Sequence, residues 1–192
     1  MKRQAGFSLV ELVIVIIVVG LLAVAALPRF INITDEAKKA SIEGVAGGYA
    51  TAVLSARAQW EAYGRPNDGS RNIVDYDGTE FYLTTDGDTG NPSLGYPIAL
   101  SSKGISSINS TDCVALIDNL LQNPPRTTTS TNTAKDGKHL FYTKTSGSGN
   151  NKVCEYYQLA SSDSSGNTSS DVTNAHYFTY KLAKGQVEVT LK

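Results

Sequence analysis

The chain has 192 residues, 41% of them apolar and 18% charged, and its formal net charge is −1. That length allows one domain with a real core and leaves too little for two full domains beside a long helix. The near-neutral balance excludes a phosphate-binding surface spread over the whole molecule.

Phe7 to Leu27 is an almost unbroken apolar run that carries one charge, Glu11. At helical rise it spans roughly 32 Å, about the hydrocarbon thickness of a bilayer. A carboxylate in such a run costs about 2.5–3.5 kcal/mol near the membrane centre, and less towards its edge. Cutting the chain after Gly6 supplies a neutralising partner, because the new amino group of Phe7 then lies about one helical turn from Glu11. Two plainer readings compete. Ala23-Val24-Ala25-Ala26 offers the small-x-small site of a secretory signal peptide, although an apolar part of about 7–15 residues is usual there and an acid fits it poorly. The run is also long enough for an ordinary single-pass anchor. Lys2 and Arg3 precede it, whereas Arg29 and then Asp35-Glu36 follow. This bias puts the N-terminus in the cytoplasm and the body outside.

The helical pattern continues past the apolar run. Ile33, Ala37, Ala40, Gly44, Gly48 and Leu54 fall near one stripe, with Val45, Tyr49, Val53 and Trp60 beside it. Asp35 and Lys39 form an i,i+4 pair on a solvated face. Gly64-Arg65-Pro66 supplies the stop, so the pattern predicts one helix from Phe7 to Tyr63, roughly 85 Å long if straight. Gly20 and Pro28 weaken it, at about 1 and about 3 kcal/mol respectively. On the residues alone they predict a kink, as is common in membrane helices. The small pair Gly44 and Gly48 predicts tight packing of the helix on its own sheet.

Beyond Pro66 the texture is β. Strands are expected at Glu80–Thr84, Lys138–Thr143, Lys152–Leu159, His176–Leu182 and Gln186–Leu191, with Lys184-Gly185 as a tight hairpin turn. Thr111–Asn123 reads as a short helix, capped by Thr111 or Asp112 and ended by Pro124-Pro125. Thr127–Thr133, Thr145–Asn151 and Ser161–Asp171 are rich in Ser, Thr, Asn and Gly, so they belong on the surface, as plain loops or as carriers of O-linked glycan. Cys113 and Cys154 are the two cysteines. In an oxidising compartment they should pair, and their loop would contribute about 4 kcal/mol; the alternative is two free buried thiols.

Candidate chemistry is sparse. Thr85–Asn91 alternates oxygen ligands, with Asp86 and Asp88 as calcium candidates, but its glycine offset and missing final glutamate depart from an EF-hand loop. A polar turn explains it better. His139 and His176 lack metal-ligand spacing to each other or to a cysteine. No nucleophile elbow, zincin helix, phosphate loop or dinucleotide fingerprint is present. Catalysis has no support, and no cofactor is implied.

Lys2-Arg3-Gln4-Ala5-Gly6-Phe7-Ser8-Leu9-Val10-Glu11-Leu12 resembles the leader and mature start of type IV pilins. The basic leader, Phe7, Glu11, Gly20 and Pro28 fall where that family places them, over about the first thirty residues. The opening residues and the closing half look most like mannose-sensitive haemagglutinin pilins. The resemblance implies an α+β fold, in which a long N-terminal helix packs against an antiparallel β-sheet head. It implies with this that aromatic residues such as Tyr157 and Phe178 of the strands meet the helix. It divides the chain into a cleaved leader (1–6), the apolar half of the helix (7–28), its amphipathic half (29–64) and the head (65–192), whose region 113–154 is bounded by the disulfide. Cleavage by prepilin peptidase between Gly6 and Phe7, N-methylation of Phe7 and an assembly charge pair between Glu11 and the Phe7 amine are implied with it. So is unwinding between Gly20 and Pro28 on packing.

The implied function is that of a major subunit of an extracellular filament used in adhesion and surface attachment, with motility as a further role. The alternatives are a pseudopilin of a type II secretion system, a minor pilin, or a tethered binding domain that never polymerises. The implied partners are copies of the chain itself, prepilin peptidase, the assembly platform, minor pilins and, before assembly, the inner membrane. The surface receptor is not named by the sequence, and DNA binding through a small local patch stays open because some relatives take up DNA.

Overall fold

Fifty-four residues, Leu9–Ala62, form helix α1, and Pro28 lies inside it. In the computed structural model, residues 7–88, 92–162 and 171–192 are described. The leader, Thr89–Asn91 of the calcium candidate and most of the Ser161–Asp171 stretch lie outside them. The chain divides into two units, Met1–Lys38 and Lys39–Lys192.

From Leu9 to Leu27 the helix of the first unit is apolar all round apart from Glu11, and almost every residue in it is exposed. Leu, Val and Ile from Leu9 to Leu27 are between 39% and 79% exposed. This segment is long and apolar enough to cross a membrane, by length and composition. Pro28 lies within this continuous helix, where its missing N–H takes the usual donor away from the Val24 carbonyl. Further along, Asp35 pairs with Lys38 at 3.5 Å.

In the second unit the same helix becomes one-sided. Ile42, Ala46, Tyr49, Val53, Ala56 and Trp60 are buried, and their alternating spacing of four and three residues defines a single stripe. The stripe expected from sequence is therefore rotated. Leu54 is 56% exposed, Gly44 and Gly48 are exposed, and Ile33 in the first unit is 65% exposed. Small residues fit either face, and the bulky Tyr49 and Trp60 decide which face is inward. The helix stops as expected: Gly64 and Arg65 have positive φ, and the Arg65 N–H donates to the Trp60 carbonyl at 2.9 Å.

The head carries two sheets. β1 (Ile73–Tyr76), β2 (Thr79–Leu83) and β3 (Pro97–Ala99) form an antiparallel three-stranded sheet. β4 (Thr127–Thr128), β5 (Phe141–Ser146), β6 (Val153–Gln158), β7 (Tyr177–Lys181) and β8 (Gln186–Thr190) form the second in that order. It is antiparallel apart from the two-residue β4, which runs parallel to β5. Helix α2 (Ser110–Leu120) buries Cys113, Leu116, Ile117 and Leu120. Its N-cap is Asn109, two residues before Thr111 and three before Asp112, the expected caps. The Asn109 side chain accepts from the Thr111 and Asp112 N–H groups, and Asp112 returns a bond to the Asn109 N–H, closing a capping box.

The helix meets the sheet through aromatic side chains of one face. The Tyr49 ring lies 5.6 Å from Tyr156, 5.8 Å from Phe178 and 5.3 Å from Tyr180. Phe178 takes the expected place, but Tyr157 does not. Strand alternation sends Tyr156 inward and Tyr157 to the opposite face, where it stacks on Tyr177 at 4.9 Å. The β7–β8 connection is also longer than a two-residue turn. Leu182 and Ala183 dip into the core, and Gly185, at φ +65°, accepts the Tyr96 ring where a Cβ would collide with it.

Candidate functional site

Phe7 and Ser8 precede the first helical residue, and Phe7 is 85% exposed. The Ser8 N–H and hydroxyl both donate to Glu11 Oε2, at 3.1 and 3.2 Å. The Glu11 N–H donates back to the Ser8 hydroxyl at 3.2 Å. Ser8 and Glu11 are thus paired as in a capping box, a signal legible as Ser-x-x-Glu that the charge argument alone overlooks. The pairing holds the carboxylate at the helix N-terminus, where the free N–H groups and the dipole favour a negative charge. Gly6 lies outside the described residues. Gly20 and Pro28 both sit in continuous helix.

In the second unit the head is held by buried bonds. Cys113 of α2 and Cys154 of β6 form a disulfide with their Cα atoms 5.7 Å apart, so the two thiols are paired. The Tyr156 hydroxyl donates to the Cys113 carbonyl at 2.7 Å and lies 3.4 Å from the Tyr49 hydroxyl. The Tyr180 hydroxyl donates to the Pro97 carbonyl at 2.7 Å, joining the larger sheet to the smaller. Burial pushes the phenol pKa values of Tyr49, Tyr156 and Tyr180 well above their ordinary value. They act as neutral struts.

The calcium candidates are differently engaged. Arg71 Nη2 donates to Asp88 Oδ2 at 2.6 Å, and the two side chains are only 11% and 4% exposed. Asp88 also accepts from the Thr85 N–H at 3.0 Å. The guanidinium occupies the place a cation would need, while Asp86 stays exposed. Among the described residues no cluster of three or more metal-ligating side chains occurs. His139 Nδ1 lies 3.1 Å from Asp136 Oδ1, and His176 Nδ1 accepts the Lys192 N–H at 2.9 Å. Thr127–Thr133 and Thr145–Asn151 bury no residue, which fits their surface assignment.

A helix that is apolar all round and then anchors a disulfide-tied antiparallel head is a pilin-like α+β fold. Residues 1–27 match the family model of the prokaryotic N-terminal methylation motif. The chain is also similar to the type IV narrow pilus major component PilA5 of Thermus thermophilus, with 40% identity over 57 residues. That alignment covers 30% of this chain and 49% of the relative, so the chain spans about half the length of the curated relative it matches. No solved structure matches the chain. The motif and the similarity together support a type IV pilin and a structural role in a pilus.

Proposed function

We propose that the chain is the major subunit of an extracellular type IV pilus, held in the inner membrane with its N-terminus cytoplasmic until assembly. Prepilin peptidase cuts between Gly6 and Phe7, the new Phe7 amine is methylated, and the assembly platform with minor pilins adds the subunit to a helical homopolymer. The observation that carries this reading is Glu11, the one charge in a fully exposed apolar helix, held one turn from Phe7. In the filament, the Phe7 amine and Glu11 of neighbouring copies neutralise each other as the helices bundle. Head surfaces then face outward for adhesion and surface attachment. On bundling, the stretch between Gly20 and Pro28 unwinds and lengthens the subunit. Amide exchange that is equally slow there in filaments and in detergent would refute that step.

The Ser8 pairing gives Glu11 a second, purely local role, and one substitution separates the two. Glu11→Gln keeps an amide oxygen for the Ser8 N–H but removes the charge. The expected outcome is normal processing, read as a methylated Phe7 start by mass spectrometry, with loss of filaments from sheared surface material. Wild-type piliation by Glu11→Gln would show that capping suffices and that the charge pair is not needed. A mature chain that starts at Met1 or near Ala26 would defeat the whole reading.

A further inference from the structure

Gly44 and Gly48 do not serve the close helix–sheet packing that their spacing suggests. A Cβ placed on Gly44 would meet nothing within 4 Å, and one on Gly48 would meet only Leu121, at 3.6 Å. Both open into a groove of about 690 Å³ between α1 and the segment that follows α2. Its far wall is apolar: Leu121, Pro124, Pro125 and Leu140, the last 53% exposed. Two cations, Arg126 and Lys138, stand at its edge, both exposed. Among the described residues neither side chain has a hydrogen bond or ion pair. The nearby acid Asp136 is already committed to the Lys138 and His139 N–H groups and to the His139 ring.

The opposite chemistry sits on the β1–β2 hairpin. Tyr76 pairs with Thr79, so the turn is the two residues Asp77-Gly78, with φ of 52° and 79°. Positive φ at both positions is a type I′ turn, whose twist matches the strands and makes a narrow, rigid tip. Asp75, Asp77 and Glu80 are exposed around it, and among the described residues their carboxylates have no partner. Within one chain these acids and the two groove cations form no ion pair. The surfaces are complementary in shape and charge: a convex acidic tip, and a concave apolar groove with a basic edge.

We propose that the groove receives the β1–β2 hairpin tip of a second copy of this chain. Gly78, without a side chain, lets the tip enter between Gly44 and Leu140. Asp77 and Glu80 meet Arg126 and Lys138, and this pairing sets register and orientation more than it supplies bulk affinity. Because tip and groove are different surfaces, the contact is head-to-tail, and with a rotation that does not close a ring it propagates as an open filament. The setting rests on the pilus reading above, and the pairing adds a specific contact between heads.

The test uses the full chain as the only copy in cells. Asp77→Lys with Glu80→Lys, and separately Arg126→Glu with Lys138→Glu, should each abolish sheared filaments, while all four reversals together restore them. Independently, one chain carrying Asp77→Cys and Lys138→Cys should give a ladder of reducible multimers, read on membranes as well as on filaments. A restored filament together with the ladder supports the pairing. Filaments that survive either reversal, no ladder in filaments or membranes, or cross-linking only to a different protein would each overturn it. Absence of wild-type filaments while the membrane ladder persists would remove the pilus reading and leave the contact standing.

Discussion

Removing the disulfide should destabilise the head by about 4 kcal/mol without changing its native structure. Cys113 and Cys154 are 41 positions apart, so the bond closes a long loop in the unfolded chain. The chain-entropy relation gives about 4 kcal/mol for a loop of that length at room temperature. The native positions have other support. Leu116, Ile117 and Leu120 bury the same face of α2, and the Tyr156 hydroxyl grips the Cys113 carbonyl at 2.7 Å. Cys113→Ala with Cys154→Ala should therefore keep the near-ultraviolet circular dichroism of the wild type.

The assay is thermal unfolding of the full chain in detergent micelles, followed through the tyrosine signals of the head. At about 2–4 °C per kcal/mol for a unit of this size, the melting temperature should fall by about 8–16 °C. Reducing the wild type should reproduce the loss. A change below about 1 kcal/mol would mean that the unfolded chain is already confined without the bond, and the loop-entropy reasoning would fail.

Arg71→Ala should cost about 3–5 kcal/mol, because it strands the buried Asp88 carboxylate, and joint replacement of both by apolar residues should cost less than the sum of the single changes. A double-mutant cycle with no coupling would refute a working pair. Tyr156→Phe removes the donor to the Cys113 carbonyl and should cost about 1–3 kcal/mol by chemical denaturation; an unchanged midpoint would show that another donor replaces it. The raised phenol values of Tyr49, Tyr156 and Tyr180 fix a sign at alkaline pH. Their neutral forms are held in the fold, so stability is fully present below the ordinary value of 10.0 and declines as pH rises above it. Spectrophotometric titration should show these three phenolates appearing only with cooperative unfolding, and smooth ionisation in the native state would contradict it.

The elements that were legible in the sequence are those set by long periodicity or by strong punctuation. Phe7–Leu27 announces its own surroundings, Gly64-Arg65-Pro66 ends the helix, β6 and β7 read directly as aromatic-rich runs, and β8 reads as an alternation of Val with polar residues. Phase was harder. Tyr156 and Tyr157 are chemically identical neighbours, and only the strand pairing with Phe178 and Tyr177 shows which faces the helix. The stripe on α1 was misplaced for a related reason, since Ala and Gly carry too little area to choose a side. β1 was missed although Asp77-Gly78 is a strong turn signal. β3 and β4 are three and two residues long and carry no period at all. The Arg71–Asp88 pair joins residues seventeen apart in a loop-rich stretch, where no sequence pattern brings them together.

In the proposed reading the two halves of α1 have different solvents, and this decides where assembly energy comes from. Fourteen Leu, Val and Ile side chains between Leu9 and Leu27 stand exposed. Sheltering them from water is worth on the order of 20 kcal/mol, more than the whole stability of a typical domain. The segment must therefore always sit in apolar surroundings, first lipid and then other helices in the proposed reading. Lipid tails are as apolar as leucine, so the transfer from membrane to bundle gains almost nothing from hydrophobicity. What differs between the two settings is how polar groups are satisfied. In lipid, the processed subunit has Ser8, its helix end and its own Phe7 amine beside Glu11, whereas in the proposed bundle the amines and carboxylates of neighbouring copies pair as well. In the proposed filament that pairing, together with contacts between heads, supplies the difference, and this makes removing the charge of Glu11 while keeping its hydrogen bond the decisive experiment.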